Sequence, residues 1–330
     1  MKIKRKIKSI FFIIYLISFL ILNTKGIQAQ EGANITYSPV VEYLSLDPGS
    51  NYSGSIKITN MGNNYMNYEV NILPFTSFPD KPGVPRPMSA EKAETYAYNA
   101  SKWFGITVKN LSLDPLSVSD INYTITVPKD TSPGGYYVGI FFKDTAVSIE
   151  EKNVEATLIG GPIFLIKVSG NVVEGIDVLE FKTNKYFYEY NPVDFITTIQ
   201  NTGNVHVVPR GDIEVMNMCG DKVATLSFNK EKYNILRDTT NIFENKWDEG
   251  DNLLSKLINK DKKILFGRMK AKLVVLYRSE NPGYDYKTAY TTFWIIPWKL
   301  ILILLIIIII CIILIRRKRK QRGTGKYIKE

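Results

Sequence analysis

From Val40 onward the chain alternates apolar and polar residues with a period of two. Ser55-Ile56-Lys57-Ile58-Thr59, Tyr68-Glu69-Val70-Asn71-Ile72 and Asn122-Tyr123-Thr124-Ile125-Thr126-Val127 are clear examples. That period places every second side chain on one face, as a half-buried strand requires. Tyr136 to Phe142 and Ile163 to Val168 are apolar almost throughout, which predicts central strands covered on both faces. Turn residues separate the runs: Asp47-Pro48-Gly49, Asn60-Met61-Gly62, Pro133-Gly134-Gly135 and Gly160-Gly161-Pro162. Many short strands at such spacing predict an all-β fold of the sandwich kind.

A weak repeat divides the pattern in two. Pro48 precedes a strand ending at Asn60-Met61-Gly62, and Pro192 precedes one, Phe195 to Gln200, ending at Asn201-Thr202-Gly203. Asn and Gly tolerate positive φ, so each ending is expected to be a hairpin turn. Two tandem immunoglobulin-like sandwiches follow, over residues 30–170 and 171–293, with a boundary near Ser169 to Gly175. In the second, Met269, Ala271, Leu273, Val275 and Tyr277 form one apolar face, and Asn281-Pro282-Gly283 turns the chain into a last strand, Tyr284 to Phe293. Leu253, Leu254, Leu257 and Ile258 have helical spacing and fit a short helix or a loop cluster.

Two stretches break the pattern. Residues 74–92 hold Pro74, Pro79, Pro82, Pro85 and Pro87, which a central strand does not accommodate, so a long loop is expected. Its Phe75, Phe78 and Arg86, with Tyr96 and Tyr98 just beyond, are the candidate binding residues, being of the types that anchor interfaces. Thr145 to Asn153 reads as a polar loop.

The two ends differ from everything between. Lys2, Lys4, Arg5, Lys6 and Lys8 precede an apolar stretch from Ile10 to Leu22 and then Ile27-Gln28-Ala29, the order of a secretory signal peptide over residues 1–29. An uncleaved anchor is the alternative. Near the other end, Leu300 to Ile315 is apolar without interruption, and residues 294–315 are long enough for a transmembrane helix. Trp294 and Trp298 would sit at its outer interface, and Arg316, Arg317, Lys318, Arg319 and Lys320 open a basic tail, residues 316–330, that the positive-inside rule places in the cytoplasm. The expected partner here is the lipid bilayer. No L-P-x-T-G precedes the span, so retention by the helix rather than covalent attachment to the wall is expected.

The net charge of +10 belongs to these ends. Residues 1–30 carry six cations and no acid, residues 316–330 eight cations and one acid, and Lys299 one more, leaving −4 for the rest of residues 31–298. No nucleic-acid partner is implied. Of two cysteines, Cys311 lies in the span and Cys219 is alone outside it, where it reads as a small buried residue at a strand end. Five N-x-S/T triplets, beginning at Asn34, Asn51, Asn99, Asn110 and Asn122, are unremarkable in so Asn-rich a chain.

Catalytic chemistry has little to stand on. His206 is the single histidine and reads as a strand-edge residue. Ser89-Ala90-Glu91-Lys92 matches S-x-x-K without the S-D-N and K-T-G partners that chemistry needs. Asp248, Glu249 and Asp251 lack the spacing of a calcium loop. No metal, no cofactor and no enzyme activity are expected.

Several segments nevertheless resemble a known family. Leu46-Asp47-Pro48-Gly49, Ile56-Lys57-Ile58-Thr59-Asn60, Val127-Pro128-Lys129-Asp130 and Pro133-Gly134-Gly135-Tyr136-Tyr137 are similar to the first domain of WxL-interacting surface proteins of bacteria. Asn201-Thr202-Gly203-Asn204-Val205 and Phe293-Trp294-Ile295-Ile296-Pro297-Trp298 resemble a related branch of bacterial membrane proteins. The resemblance implies a signal peptide, two immunoglobulin-like domains and a membrane anchor, with peptidoglycan or another wall polymer on the first domain and a surface protein on the second. The expectation is a membrane-anchored binding or scaffold protein of the cell envelope, in an adhesion-type role. A chaperone-like assembly factor for secreted proteins is the first alternative, and an envelope enzyme the second.

Overall fold

The computed structural model describes residues 35–145, 158–190, 192–248, 265–278 and 283–324. Two tandem immunoglobulin-like β-sandwiches are followed by one long apolar helix. In the first, β1 (Ile35–Ser38), β3 (Asn51–Asn60), β8 (Val118–Thr126) and β6 (Phe104–Ile106) form one sheet in the order β1-β3-β8-β6. The facing sheet runs β2 (Val41–Leu46), β11 (Ile163–Val168), β9 (Gly134–Asp144), β4 (Met66–Phe78), β5 (Lys81–Pro87). The short β7 (Asn110–Leu113) pairs with β4 and β10 (Leu158–Ile159) with β9. β9 and β11 are both interior, which explains their continuous apolar runs.

The second sandwich packs a sheet β12 (Ile176–Thr183), β14 (Val193–Asn201), β17 (Thr240–Trp247) on a five-stranded one. The latter runs β13 (Phe187–Tyr188), β19 (Tyr284–Ile295), β18 (Gly267–Arg278), β15 (Arg210–Met216), β16 (Lys222–Phe228). Met269, Ala271, Leu273 and Val275 of β18 fill its core with Phe195, Phe243 and Phe293. A six-residue helix α1 (Ala90–Thr95) belongs to the first sandwich, and α2 (Trp298–Thr324) closes the described chain.

The repeated asparagines have a common role that differs from the expected one. Neither Asn60 nor Asn201 is at positive φ. Each is buried at a strand end, and each uses its side chain as a bracket. Asn60 Nδ2 donates to the carbonyl of Asn64 at 2.8 Å and Asn201 Nδ2 to that of Val205 at 2.8 Å, four residues on in both cases. Both Oδ1 atoms accept the amide two residues on, Gly62 at 2.9 Å and Gly203 at 2.8 Å. A third bond reaches a distant chain segment: the Asp114 carbonyl at 3.0 Å from Asn60, the Ile235 carbonyl at 2.9 Å from Asn201. Gly203 is needed for space, because a Cβ there would run into the Val173 carbonyl.

Other expectations are corrected. The proline-rich stretch is a β-hairpin, not a loop. Pro74 sits where β4 changes partner from β9 to β5, and Pro82, Pro85 and Pro87 lie on β5, an edge strand whose outer side needs no amide donors. Cys219 is exposed in the turn between β15 and β16, where its amide donates to Asn217 Oδ1 at 2.9 Å. Trp294 and Ile295 complete β19 instead of beginning the helix, which starts at Trp298. The signal peptide, residues 146–153, the Leu253–Ile258 segment, Glu249, Asp251 and the last six residues lie outside the described residues.

Removing either bracket strands several buried carbonyls. Asn201→Ala and Asn60→Ala are each expected to destabilise their own sandwich by about 2–3 kcal/mol, read as a lowered urea midpoint.

Candidate functional site at the seam between the sandwiches

Of the candidate binding residues, Phe75, Tyr96 and Tyr98 lie at the contact between the two sandwiches, where they meet Leu236 and Arg237 of the second. The segment after Asn234 crosses over. Ile235 pairs with Val207 and faces its own core, whereas Leu236 and Arg237 project into the first sandwich. Leu236 is buried with Phe75, Tyr137, Phe141 and Leu165. The Arg237 guanidinium lies 3.4 Å from the centre of the Tyr98 ring. Tyr98 meets Tyr96 and Tyr136 edge-on at 5.7 and 6.0 Å, and Trp103 lies 4.6 Å from Tyr136. Arg237 Nε approaches the Asp238 carboxylate at 3.3 Å but off hydrogen-bonding geometry, so neither Nε nor Nη1 is hydrogen-bonded. The Asp238 carboxylate and the aromatic ring face both supply negative potential, the ring contact being worth about 2 kcal/mol when desolvated.

Backbone bonds close the seam around this wedge. The Arg237 amide donates to the Tyr137 hydroxyl at 3.2 Å, and Gly135 N donates to the Asn204 carbonyl at 2.8 Å. The β4–β5 hairpin docks on β17: Ile242 N donates to the Pro79 carbonyl at 2.7 Å, and Asn241 bridges Ser77 and the Phe78 carbonyl. Tyr233 packs flat over Gly83, whose φ of 82° and lack of a side chain allow the approach.

Phe75 is therefore a core residue of the seam. Tyr98 is the platform under Arg237, and Tyr96 supports it. Phe78 stays in the hairpin under two cations, Arg86 at 5.3 Å and Lys81 at 5.8 Å. Sequence reading missed Leu236 and Arg237; an apolar residue beside an arginine has no local signature of burial. Trp294 and Trp298 flank the start of the helix, where Lys299 forms an ion pair with Glu189 at 2.8 Å.

Two hollows open along the seam. One, of about 240 Å³, lies between the β4–β5 hairpin and residues 231–236 and is lined chiefly by apolar side chains such as Val41, Phe75 and Leu165. The other, of about 280 Å³, is polar and holds Tyr43, Glu174, His206, Arg210, Arg278 and Tyr284. Burial raises the Glu174 carboxyl above its usual range, opposed by Lys167 and Arg278. His206 is not on an exposed strand edge. It sits between the rings of Tyr43 and Tyr137, at 6.0 and 5.8 Å, with a buried Nδ1 that has no hydrogen-bond partner. Burial, and then Lys167, lower its pKa to about 4. Among the described residues no group of three His, Cys, Asp or Glu side chains could hold a metal ion.

No family model matches the chain, and no curated protein matches it. Solved structures similar to it include bacterial chaperones. The E. coli chaperone DraB shares 13% identity over 77% of this chain and 95% of its own, with a TM-score of 0.31. The chaperone–tip adhesion subunit pre-assembly complex from Csu pili of Acinetobacter baumannii shares 8% over 78% and 98%, with a TM-score of 0.35. The Pseudomonas aeruginosa chaperone CupB2 shares 8% over 77% and 98%, with a TM-score of 0.33. The sandwich assignment above rests on the chain's own strand pairing.

Cutting back Arg237 to alanine should loosen the seam while leaving both cores folded. Hydrogen exchange should accelerate at the Gly135 and Ile242 amides, which bond across the seam, and stay slow at Ile199 inside the second sandwich. A separate expectation concerns pH. With a folded pKa near 4 against an ordinary 6.5, His206 favours its neutral form in the folded chain. The unfolded chain takes up a proton as pH falls through 6.5 and the folded one does not, so stability present above that value is lost toward pH 4. Between pH 7 and pH 5 this loss is about 2 kcal/mol, and His206→Phe should remove it from the urea-unfolding free energy.

Proposed function

We propose that this chain is a membrane-anchored binding or scaffold protein of the bacterial cell envelope, which holds two locked sandwiches outside the membrane. The observation that carries the reading is the join at the membrane end. β19 leads through Ile296-Pro297 into a helix whose 20-residue apolar span, Trp298–Arg317, is covered by none of the described residues. The Glu189–Lys299 ion pair and the bond from Ile296 N to the Tyr188 carbonyl at 2.7 Å fasten that join. A sandwich so attached stands at the bilayer, and the seam holds the other sandwich on top of it. Ligands on this reading are wall polymer or other envelope proteins; the resemblance to WxL-interacting proteins would give wall polymer to the first sandwich. No catalytic step is assigned.

A second reading, an assembly factor that pairs a sheet edge with client chains, is favoured by one feature. Among the described residues the seven-residue β16 pairs only with β15, so no described strand takes its far edge, where a strand could be added. Stable copurification of unassembled secreted subunits, lost when Thr225 is changed to proline on that edge, would favour this reading over the first.

Protease applied to intact, wall-stripped cells should remove both sandwiches and leave a small membrane-bound remnant. Detergent alone should release the full-length chain. Protection of the second sandwich, or release that requires wall hydrolysis, would contradict the proposal.

A further inference from the structure

The outer face of the second sandwich carries a pattern that its fold does not use. Along β19 the residues that point away from the core include Tyr284, Tyr286, Tyr290 and Trp294, and the first three are 72%, 67% and 53% exposed. The neighbouring outward row, on β18, is Arg268, Lys270, Lys272, Val274, Leu276 and Arg278, three cations near the helix and one at the far end with two apolar residues between. Register sets the two rows side by side: Arg268 opposite Trp294, Lys272 opposite Tyr290, Arg278 opposite Tyr284. Lys270 Nζ stands 4.6 Å from the Tyr290 ring centre. These two outward rows contain no acid. On the far side, β15 contributes Asp212 and Glu214, the latter held by Lys222 at 3.1 Å, and so bounds the basic stripe. At its end remote from the helix the stripe runs into the polar hollow of the seam, where Arg210 and Arg278 meet Tyr43 and Tyr284 and outnumber one carboxyl, Glu174.

The geometry points to a binding track for one chain of a phosphate-bearing polysaccharide, a deepening of the proposal above that rests on it. Exposed aromatic faces suit the flat C–H faces of sugar rings, and cations beside them suit phosphates between sugars. Two adjacent strands are about 5 Å apart, so the stripe is the width of a single polymer chain. Its length favours a polymer over the bilayer. Twelve residues of strand extend about 40 Å, and the helix starts at one end, so a lipid surface would meet only the Trp294 and Arg268 end. The hollow at the other end, with Arg210 and Arg278, would take a terminal phosphate.

Binding of the full-length chain in neutral detergent to phosphomannan, neutral mannan and inorganic polyphosphate tests this. Phosphomannan should bind at least tenfold more tightly than either of the others. A combined Lys270→Gln, Lys272→Gln variant and, separately, Tyr286→Ser with Tyr290→Ser should each lose tenfold or more, with unchanged melting temperatures. Equal binding of polyphosphate, or insensitivity to both variants, overturns the track. So does preference for phosphatidylglycerol over phosphatidylcholine bicelles that exceeds the preference for phosphomannan over mannan. The cell-surface protease experiment fails independently: sandwiches outside the cell with no phosphomannan binding would remove this inference alone.

Discussion

The union of the two sandwiches depends on how Arg237 is buried. A guanidinium removed from water needs compensation, and here its hydrogen-bonding nitrogens are largely without partners. Compensation comes from the Asp238 carboxylate at 3.3 Å and from the Tyr98 ring, with Tyr96 and Tyr136 around it. That places a charge of one sandwich against an aromatic cluster of the other, a contact that exists only while the two are docked. Leu236 next to it adds apolar burial, and the Asn241 and Ile242 bonds to the hairpin prevent sliding. Two sandwiches in tandem would by default move against each other; this wedge makes them one unit.

The lock also determines which surfaces remain for partners. It consumes Phe75 and Tyr98, side chains whose chemistry otherwise suits an external interface. What it leaves open are two hollows along the seam and the outer face of β18 and β19. That face includes β19, the strand that continues through Ile296-Pro297 into the apolar helix. Lys299, a cation at the start of an apolar span, is tolerated because Glu189 of the second sandwich meets it there.

The two asparagine brackets show how a repeat can be real while its expected meaning is wrong. Asn-x-Gly suggests a turn at positive φ. In both sandwiches the asparagine is instead buried at ordinary φ and ties three backbone segments with one side chain. A buried amide group has two donors and an acceptor to satisfy, and a strand end with a tight return provides partners for all of them.

The sequence by itself determined the strands, the two sandwiches and the apolar helix. These depend on period-two burial and on uninterrupted apolar length, which are local properties written along the chain. It also marked Phe75, Tyr96 and Tyr98 as unusual. What they touch was decided only by the tertiary structure, because Leu236 and Arg237 lie more than 130 residues away and carry no pattern of their own. The proline-rich stretch became a hairpin for a similar reason. Proline is excluded from a strand only where a neighbour needs its amide, and whether β5 lies at an edge depends on the order of the whole sheet. His206 followed the same logic: its ring is half-buried, with Nδ1 shielded, because Tyr43 and Tyr137 of the other sandwich lie against it.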